Sequence, residues 1–212
     1  MHSMPDTNTD PAQFWNQHYG TNQKTWGGRA NPLLVEVAGP LAPKDALDLG
    51  CGGGGDALWL ARQGWRVTAV DISTTAVERV RARAVEEGLG DLVTTEAHDL
   101  ARSFPAGTFD LVSAQYFHTP FTLPRAEVLR TAAQALAPGG LLLVVDHGST
   151  APWSWNRHEH THHATPREVA AELDLDPAQW SVERADAPER EATGPDGETA
   201  LVTDHVLVVR RQ

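Results

Sequence analysis

Short unbroken apolar runs alternate along this chain with longer stretches in which apolar residues recur every three or four positions. The first kind reads as strand buried on both faces, the second as amphipathic helix. Runs at 45–49, 66–70, 92–95, 109–114 and 141–145 predict five strands. After the first strand a helix starts at Asp56, turns Leu58, Trp59 and Leu60 inward and stops at Gly64. After the second, Ser73 is a good N-cap for a helix that carries Ala76, Val77, Val80, Ala84 and Val85 and ends at Gly88. Pro124 opens another helix, with Val128, Leu129, Ala132, Ala133 and Leu136 in one stripe, halted by Pro138-Gly139-Gly140. Thr165-Pro166-Arg167-Glu168 combines a capping box with proline at the first helical position, so a helix runs from there to about Asp174. The stretches 180–192 and 199–210 read as extended, and Gly194-Pro195-Asp196-Gly197 between them is a hairpin signal. Upstream, short helices are predicted over 11–19, with Phe14, Trp15 and His18 on one side, and over 33–38 behind Asn31-Pro32. Five β/α units and a terminal antiparallel hairpin predict a mixed, three-layer α/β sheet. Residues 1–10 read as a flexible tail and 11–212 as a single domain, with 11–40 its N-terminal cap.

The first strand–helix junction carries the most chemistry. Ala46-Leu47-Asp48-Leu49-Gly50-Cys51-Gly52-Gly53-Gly54-Gly55-Asp56 is a strand, a glycine loop and a helix start. Glycine permits the sharp turn and lets a ligand approach where a side chain would collide. The loop also sets backbone N–H groups and a helix N-terminus at one edge of the sheet. The second strand ends on Asp71, 21 residues after Gly50, where nucleotide-binding folds hold ribose hydroxyls with a carboxylate. Helix-start capping is the other use for Asp71, but Ser73 already serves there. A nucleoside-like cofactor is therefore expected. Gly50, Gly52 and Gly55 satisfy the G-x-G-x-x-G spacing, so a nicotinamide or flavin nucleotide is one reading. Asp48 favours another, because a carboxylate in the buried strand of a dinucleotide fold would be costly without a partner. An acid there suits a ligand with cationic groups, and S-adenosylmethionine has both an ammonium and a sulfonium.

Leu47-Asp48-Leu49-Gly50-Cys51-Gly52-Gly53-Gly54 followed by Val70-Asp71-Ile72-Ser73 resembles the first two motifs of class I S-adenosylmethionine-dependent methyltransferases. Ala97-His98-Asp99-Leu100 looks like the adenine-binding turn of that family. Phe109-Asp110-Leu111-Val112-Ser113-Ala114 resembles its fourth strand, and Leu136-Ala137-Pro138-Gly139-Gly140-Leu141-Leu142-Leu143-Val144 the approach to the fifth. These lie in the family's order over roughly residues 11 to 147. The opening Phe14-Trp15, Tyr19, Trp26-Gly27-Gly28-Arg29 and Asn31-Pro32 is similar to the small-molecule branch that includes tellurite-resistance and thiopurine methyltransferases. The resemblance implies a Rossmann-like methyltransferase sheet. It implies Asp71 on the ribose, Ile72 against the adenine, Asp99 accepting from the adenine amino group, and the Leu100 N–H at a ring nitrogen. Capping of the turn before 105–108 is the other use for Asp99. Gly50 and Gly52 would admit the methionine part to the backbone, Asp48 would hold its amino end, and Gln115 is a candidate to line it.

Ligands sit beyond the carboxyl ends of such strands, so the methyl acceptor is expected among Trp26 to Asn31, Gln115 to Leu123 and His147 to Ala164. In the last of these Trp153 and Trp155 could wall an apolar pocket or favour a cation; a polar surface loop anchored by two tryptophans is the bland alternative. His158, His160 and His162 alternate, with His163 beside them, and neutral imidazoles suit zinc or nickel. Without a fixed scaffold no metal is expected there. His118, shortly after the fourth strand, is a candidate general base or else a polar lid residue. The expected reaction is methyl transfer from S-adenosylmethionine to a heteroatom of a small molecule. A nicotinamide-dependent oxidoreductase and a non-catalytic cofactor- or metal-binding module are the alternatives.

Composition trims the partners. A chain of 212 residues, 41% apolar and 21% charged, fits one globular domain. A net charge of −11 leaves no basic footprint for nucleic acid or an anionic membrane surface. Met1 to Pro11 is polar and no apolar run reaches bilayer length, so neither a signal peptide nor a span is expected. The single cysteine, Cys51, rules out an internal disulfide and fits the cytoplasm; in the glycine loop it reads as a small residue before a nucleophile. The sequence is silent on oligomeric state.

Overall fold

The computed structural model describes residues 9–21, 28–154, 162–194 and 196–212. Its elements in chain order are α1 (Pro11–Thr21), α2 (Pro32–Ala38), β1 (Asp45–Leu49), α3 (Gly55–Arg62), β2 (Arg66–Asp71), α4 (Thr74–Glu86), β3 (Val93–Ala97), β4 (Phe109–Gln115), α5 (Arg125–Gln134), β5 (Leu136–His147), α6 (Pro166–Leu173), β6 (Trp180–Asp186), β7 (Glu189–Thr193) and β8 (Thr199–Arg211). The strands line up β3-β2-β1-β4-β5-β8-β6, with β7 paired to β8. Strands β1 to β5 are parallel, and β8 enters antiparallel to β5, so the sheet is mixed as the alternation of elements predicts.

Burial on both faces explains the unbroken apolar runs. On one side Ala46, Val67, Ala69, Leu111, Leu143 and Val145 pack against α3, α4 and α2 through Leu58, Val80 and Leu34. On the other, Leu47, Leu49, Val112, Leu142 and Val144 meet α5 and α6 through Leu129, Ala133, Val169 and Leu173. Caps fix the helices as expected: the Ser73 hydroxyl accepts from Ala76 N–H, and Thr165 and Glu168 close a capping box.

Three expectations need correction. The β3–β4 crossover carries no helix, only a turn in which the Asp99 carbonyl accepts from the Arg102 and Ser103 amides. Pro138-Gly139-Gly140 does not end α5, which stops at Gln134; Leu136 already pairs with Phe109, and the ladder resumes at Leu141 after an irregularity. Pairing and burial against β4 thus override the helical stripe at Leu136. The long extended stretch 180–192 is two strands broken at Ala187-Pro188. Strand β6 pairs the second half of β8 and β7 the first half. Because β5 ends where His147 meets Asp204, the β7–β8 hairpin projects past the carboxyl edge of the sheet. Among the described residues no helix is long and apolar enough to cross a membrane.

Candidate active site

Strand order reverses between β1 and β4, whose neighbours β2 and β5 lie on opposite sides, and a crevice opens beyond the carboxyl ends there. It is a cavity of about 980 Å³ reached by the glycine loop, α1, the segments after β2, β3 and β4, and the β7 residue Arg190. The glycine loop is shaped by its own backbone. Gly52 has φ +49, and a Cβ there would stand 3.0 Å from the Tyr19 hydroxyl; Gly54 has φ +81, and a Cβ would come within 2.6 Å of Val80 on α4. The first glycine keeps the cradle open and the second lets α3 approach α4.

Three carboxylates surround this cradle. Asp71 is buried and accepts from the amides of Gly52 at 3.0 Å and Ser73 at 2.9 Å, so it braces loop and helix start while lining the cavity. Asp56 accepts from the Asn31 amide at 2.6 Å, and burial pushes it up to about 6 against that hydrogen bond. Asp48 is 2% exposed and its Oδ2 has no partner. Burial, then the charges of Asp56 and Asp71, push its carboxyl well above the usual range, against one hydrogen bond from the Ala57 amide. Cys51 is buried and held as a thiol by the same burial, which makes it a poor nucleophile.

The N-terminal segment closes the crevice. Asn31 caps α2 through the Leu33 amide and donates from Nδ2 to Gln115 Oε1 at 2.9 Å; Gln115 in turn donates to the Ser113 hydroxyl at 2.9 Å. Helix α1 has no fully buried residue. It is held by Asn16, whose Oδ1 accepts from the Ser73 and Thr74 hydroxyls and the Thr75 amide, and by Arg79, which donates to the Tyr19 carbonyl. Its aromatic side meets the loop after β4: Phe14 packs edge-on to Phe121, and Trp15 Nε1 donates to the Thr119 hydroxyl.

At the far end two polar networks meet. His118 Nε2 stands 3.0 Å from Asp146 Oδ1, and Arg125 Nη2 reaches both oxygens of Asp146 at 2.7 Å. Burial works to raise Asp146, but His118 and Arg125 outweigh it and hold the carboxyl below its usual range. Beside it Tyr116, with φ +49, stacks on His147 at 4.2 Å and donates to Asp204 at 2.9 Å. Arg190 binds Asp204 and donates to the Tyr116 hydroxyl. Burial lowers His147, so its imidazole stays neutral near pH 7.

Residues 47–144 match the family model described as a methyltransferase domain. A ubiquinone biosynthesis O-methyltransferase of Caulobacter sp. strain K31 is 42% identical over 100 residues, which is 46% of this chain and 38% of that protein. That stretch, just under half of the chain, carries a likeness to S-adenosylmethionine-dependent methyltransferases. The chain spans less than half the length of the curated relatives it matches first. In fold, the chain is similar to the N-methyltransferase NodS from Bradyrhizobium japonicum WM9, solved with S-adenosyl-L-homocysteine (TM-score 0.67, 18% identity, 95% of this chain and 99% of that one). It is also similar to TehB from Haemophilus influenzae (TM-score 0.68, 17% identity, 93% of this chain and 67% of that one).

The cradle suits the cofactor of this family. An orphaned, buried carboxylate oxygen among further acids fits a cationic ligand and repels a pyrophosphate. Asp48, Gly50, Gly52, Asp71, Ile72, Asp99, Leu100, Gln115 and His118 all line the one cavity. Asp99 already accepts from the Ala101 amide and faces Arg102 at 3.4 Å, so the turn-capping role and the cavity share one side chain. Trp153 is elsewhere: it packs on Gly194, where a Cβ would stand 2.7 Å from its ring, and does not line the cavity. The projecting β7–β8 hairpin draws it aside. Trp26, Trp155, His158 and His160 lie outside the described residues. His163 meets the Thr150 hydroxyl and His162 stands 3.7 Å from Glu168, and among the described residues no cluster could hold a metal. Sequence reading singled out neither Asp146 nor Arg190; it held Tyr116 and His147 only within the expected acceptor segments, and Tyr19 and Asp56 only within its motifs. Asp56, in the first turn of α3 and eight residues past Asp48, had the clearest readable signal.

Proposed function

We propose that this domain transfers the methyl group of S-adenosylmethionine to a heteroatom of a small-molecule acceptor, oxygen in the first instance. The observation that carries the reading is Asp48 Oδ2, buried, unpartnered and facing the glycine cradle. When bound, the cofactor supplies a methyl carbon activated by positive sulfur. Asp48 holds the cationic amino end, with Gln115 beside it. Asp71 accepts from the ribose hydroxyls with the lone pairs left over from Gly52 and Ser73. Ile72 lies against the adenine, the Leu100 N–H meets a ring nitrogen, and Asp99 accepts from its amino group. Gly50 and Gly52 admit the chain of the ligand, and residues 11–40 act as a cap that excludes water. At the other end His118 takes the acceptor's proton as general base. Tyr116, Phe117 and Phe121 wall the acceptor's space.

The net charge of −11 supports a small acceptor over nucleic acid, and the single cysteine fits the cytoplasm. Oxygen is preferred because the first curated relatives that match, from Caulobacter and Escherichia coli, are ubiquinone biosynthesis O-methyltransferases by name. The test is formation of S-adenosylhomocysteine from S-adenosylmethionine against a panel of phenols, alcohols, thiols and amines. Turnover of a hydroxyl acceptor supports the reading. Turnover of amines alone moves the acceptor to nitrogen, and cofactor binding with no turnover of any class favours the non-catalytic alternative.

A further inference from the structure

We infer that Asp146 is a positioning residue that fixes His118 as its Nε2–H tautomer, leaves Nδ1 as the base, and so fits the site to an acceptor that arrives protonated. Such an acceptor is an O–H or S–H group whose pKa lies above the working pH, not a free amine. The inference rests on the methyl-transfer reading and deepens it.

The geometry is specific. Asp146 is 5% exposed at the end of β5, while His118 sits in the loop after β4 and lines the cavity. The 3.0 Å contact from His118 Nε2 ends on Asp146 Oδ1. An ionised carboxylate is acceptor only, so a ring nitrogen at that distance carries the proton. His118 and Arg125 together keep the carboxylate ionised. Arg125 Nη2 lies 2.7 Å from each oxygen, and its Nε donates at 3.0 Å to the Phe117 carbonyl, one residue before His118. One guanidinium from the start of α5 therefore clamps both the acid and the loop that carries the base. The depressed Asp146 carboxyl agrees with this double contact.

Burial alone would not need His118. Arg125 already pairs both oxygens of Asp146, yet a histidine that is half exposed at the cavity wall turns to the same atom. A neutral histidine held this way has one free lone pair, on Nδ1. The acceptor's X–H gives its proton there, and the electron pair left on X forms the new bond to carbon as the C–S bond breaks with its pair on sulfur. The imidazolium is stabilised by Asp146 and later releases its proton to water. An amine whose lone pair is already free gains nothing from that arrangement.

The test needs no acceptor. Two-bond proton–nitrogen spectra of the full chain, labelled at histidine nitrogens and bound to S-adenosylhomocysteine, report each ring's tautomer; His118 is assigned by its loss in His118→Gln. The expected result is a protonated Nε2 and a bare Nδ1 for His118. In Asp146→Asn the amide oxygen turns to Arg125 and its N–H₂ faces the ring, so the tautomer should reverse. With an identified hydroxyl acceptor, kcat of that variant should fall about a hundredfold, with KM nearly unchanged. An Nδ1–H tautomer in the parent protein overturns the inference even if Asp146→Asn does not fold. So does a variant that keeps the parent tautomer. Binding of S-adenosylhomocysteine by the same sample tests the methyl-transfer reading separately.

Discussion

Asp48 sits in β1 with one oxygen unpartnered and two further carboxylates nearby, so in the free protein its charge is a cost and in a cofactor complex an attraction. Asp48→Asn should therefore act in opposite directions. Affinity for S-adenosylhomocysteine should fall about ten- to a hundredfold, as expected for one charge-assisted hydrogen bond. Thermal stability without ligand should hold or rise. Calorimetry and a melting curve on the same preparation read both, and a variant that loses stability while binding as tightly as the parent contradicts the assignment. His118→Gln should lower turnover of a high-pKa hydroxyl acceptor about a hundredfold with cofactor affinity unchanged; full activity toward such an acceptor at neutral pH would make His118 a lid residue. The place of Asp48, Asp71 and His118 at the cavity was legible because residues in or just past the carboxyl end of a strand need little tertiary information. Asp146 was not, since the partners that give it meaning, Arg125 and His118, stand 21 and 28 residues away in the chain. Arg190 reaches the cavity only because of how a hairpin folds back.

Helix α1 illustrates how an element without a core of its own is held. Its aromatic positions were readable, but its hold on the molecule runs through polar Asn16, which supplies to α4 from outside the acceptor that a helix start lacks. Asn16→Ala should cost about 0.5–2 kcal/mol, the range for losing an N-cap acceptor. Amide exchange should accelerate over residues 11–21, and S-adenosylhomocysteine should bind several-fold more weakly because Tyr19 no longer closes on the glycine loop. Unchanged exchange in α1 would show that the aromatic contacts with Phe121 suffice. Strands β1, β2, β4 and the core of β5 were legible because burial on both faces leaves apolar runs. The division into β6 and β7 was hidden: both are half-buried edge strands whose break depends on which half of β8 each one pairs.

The whole molecule couples proton binding to ligand binding through the acidic cradle. Asp56 is pushed up to about 6 in the folded chain, against an ordinary value near 3.8. Between those values the folded state holds a proton that the unfolded chain has lost, so this group's contribution to stability falls as pH rises through that window and levels off above it. Asp48 adds the same sign. Asp146 works oppositely, its contribution being lost only as pH falls below the ordinary carboxylate range. A cationic ligand favours the ionised acids, so the rise in Tm produced by S-adenosylhomocysteine should be larger at pH 7.5 than at pH 5; an equal or larger rise at pH 5 would contradict the cradle's role. The mixed, layered sheet and the side on which the crevice opens followed from the alternation of elements, whereas the shape of the acceptor end depends on loops and a projecting hairpin that no local pattern encodes. The most direct test of the account is calorimetric titration of the full chain with S-adenosylhomocysteine and, in parallel, with NADH. Saturable binding of the first and no detectable heat from the second are expected at the same concentrations; binding of NADH without S-adenosylhomocysteine would contradict the methyl-transfer reading.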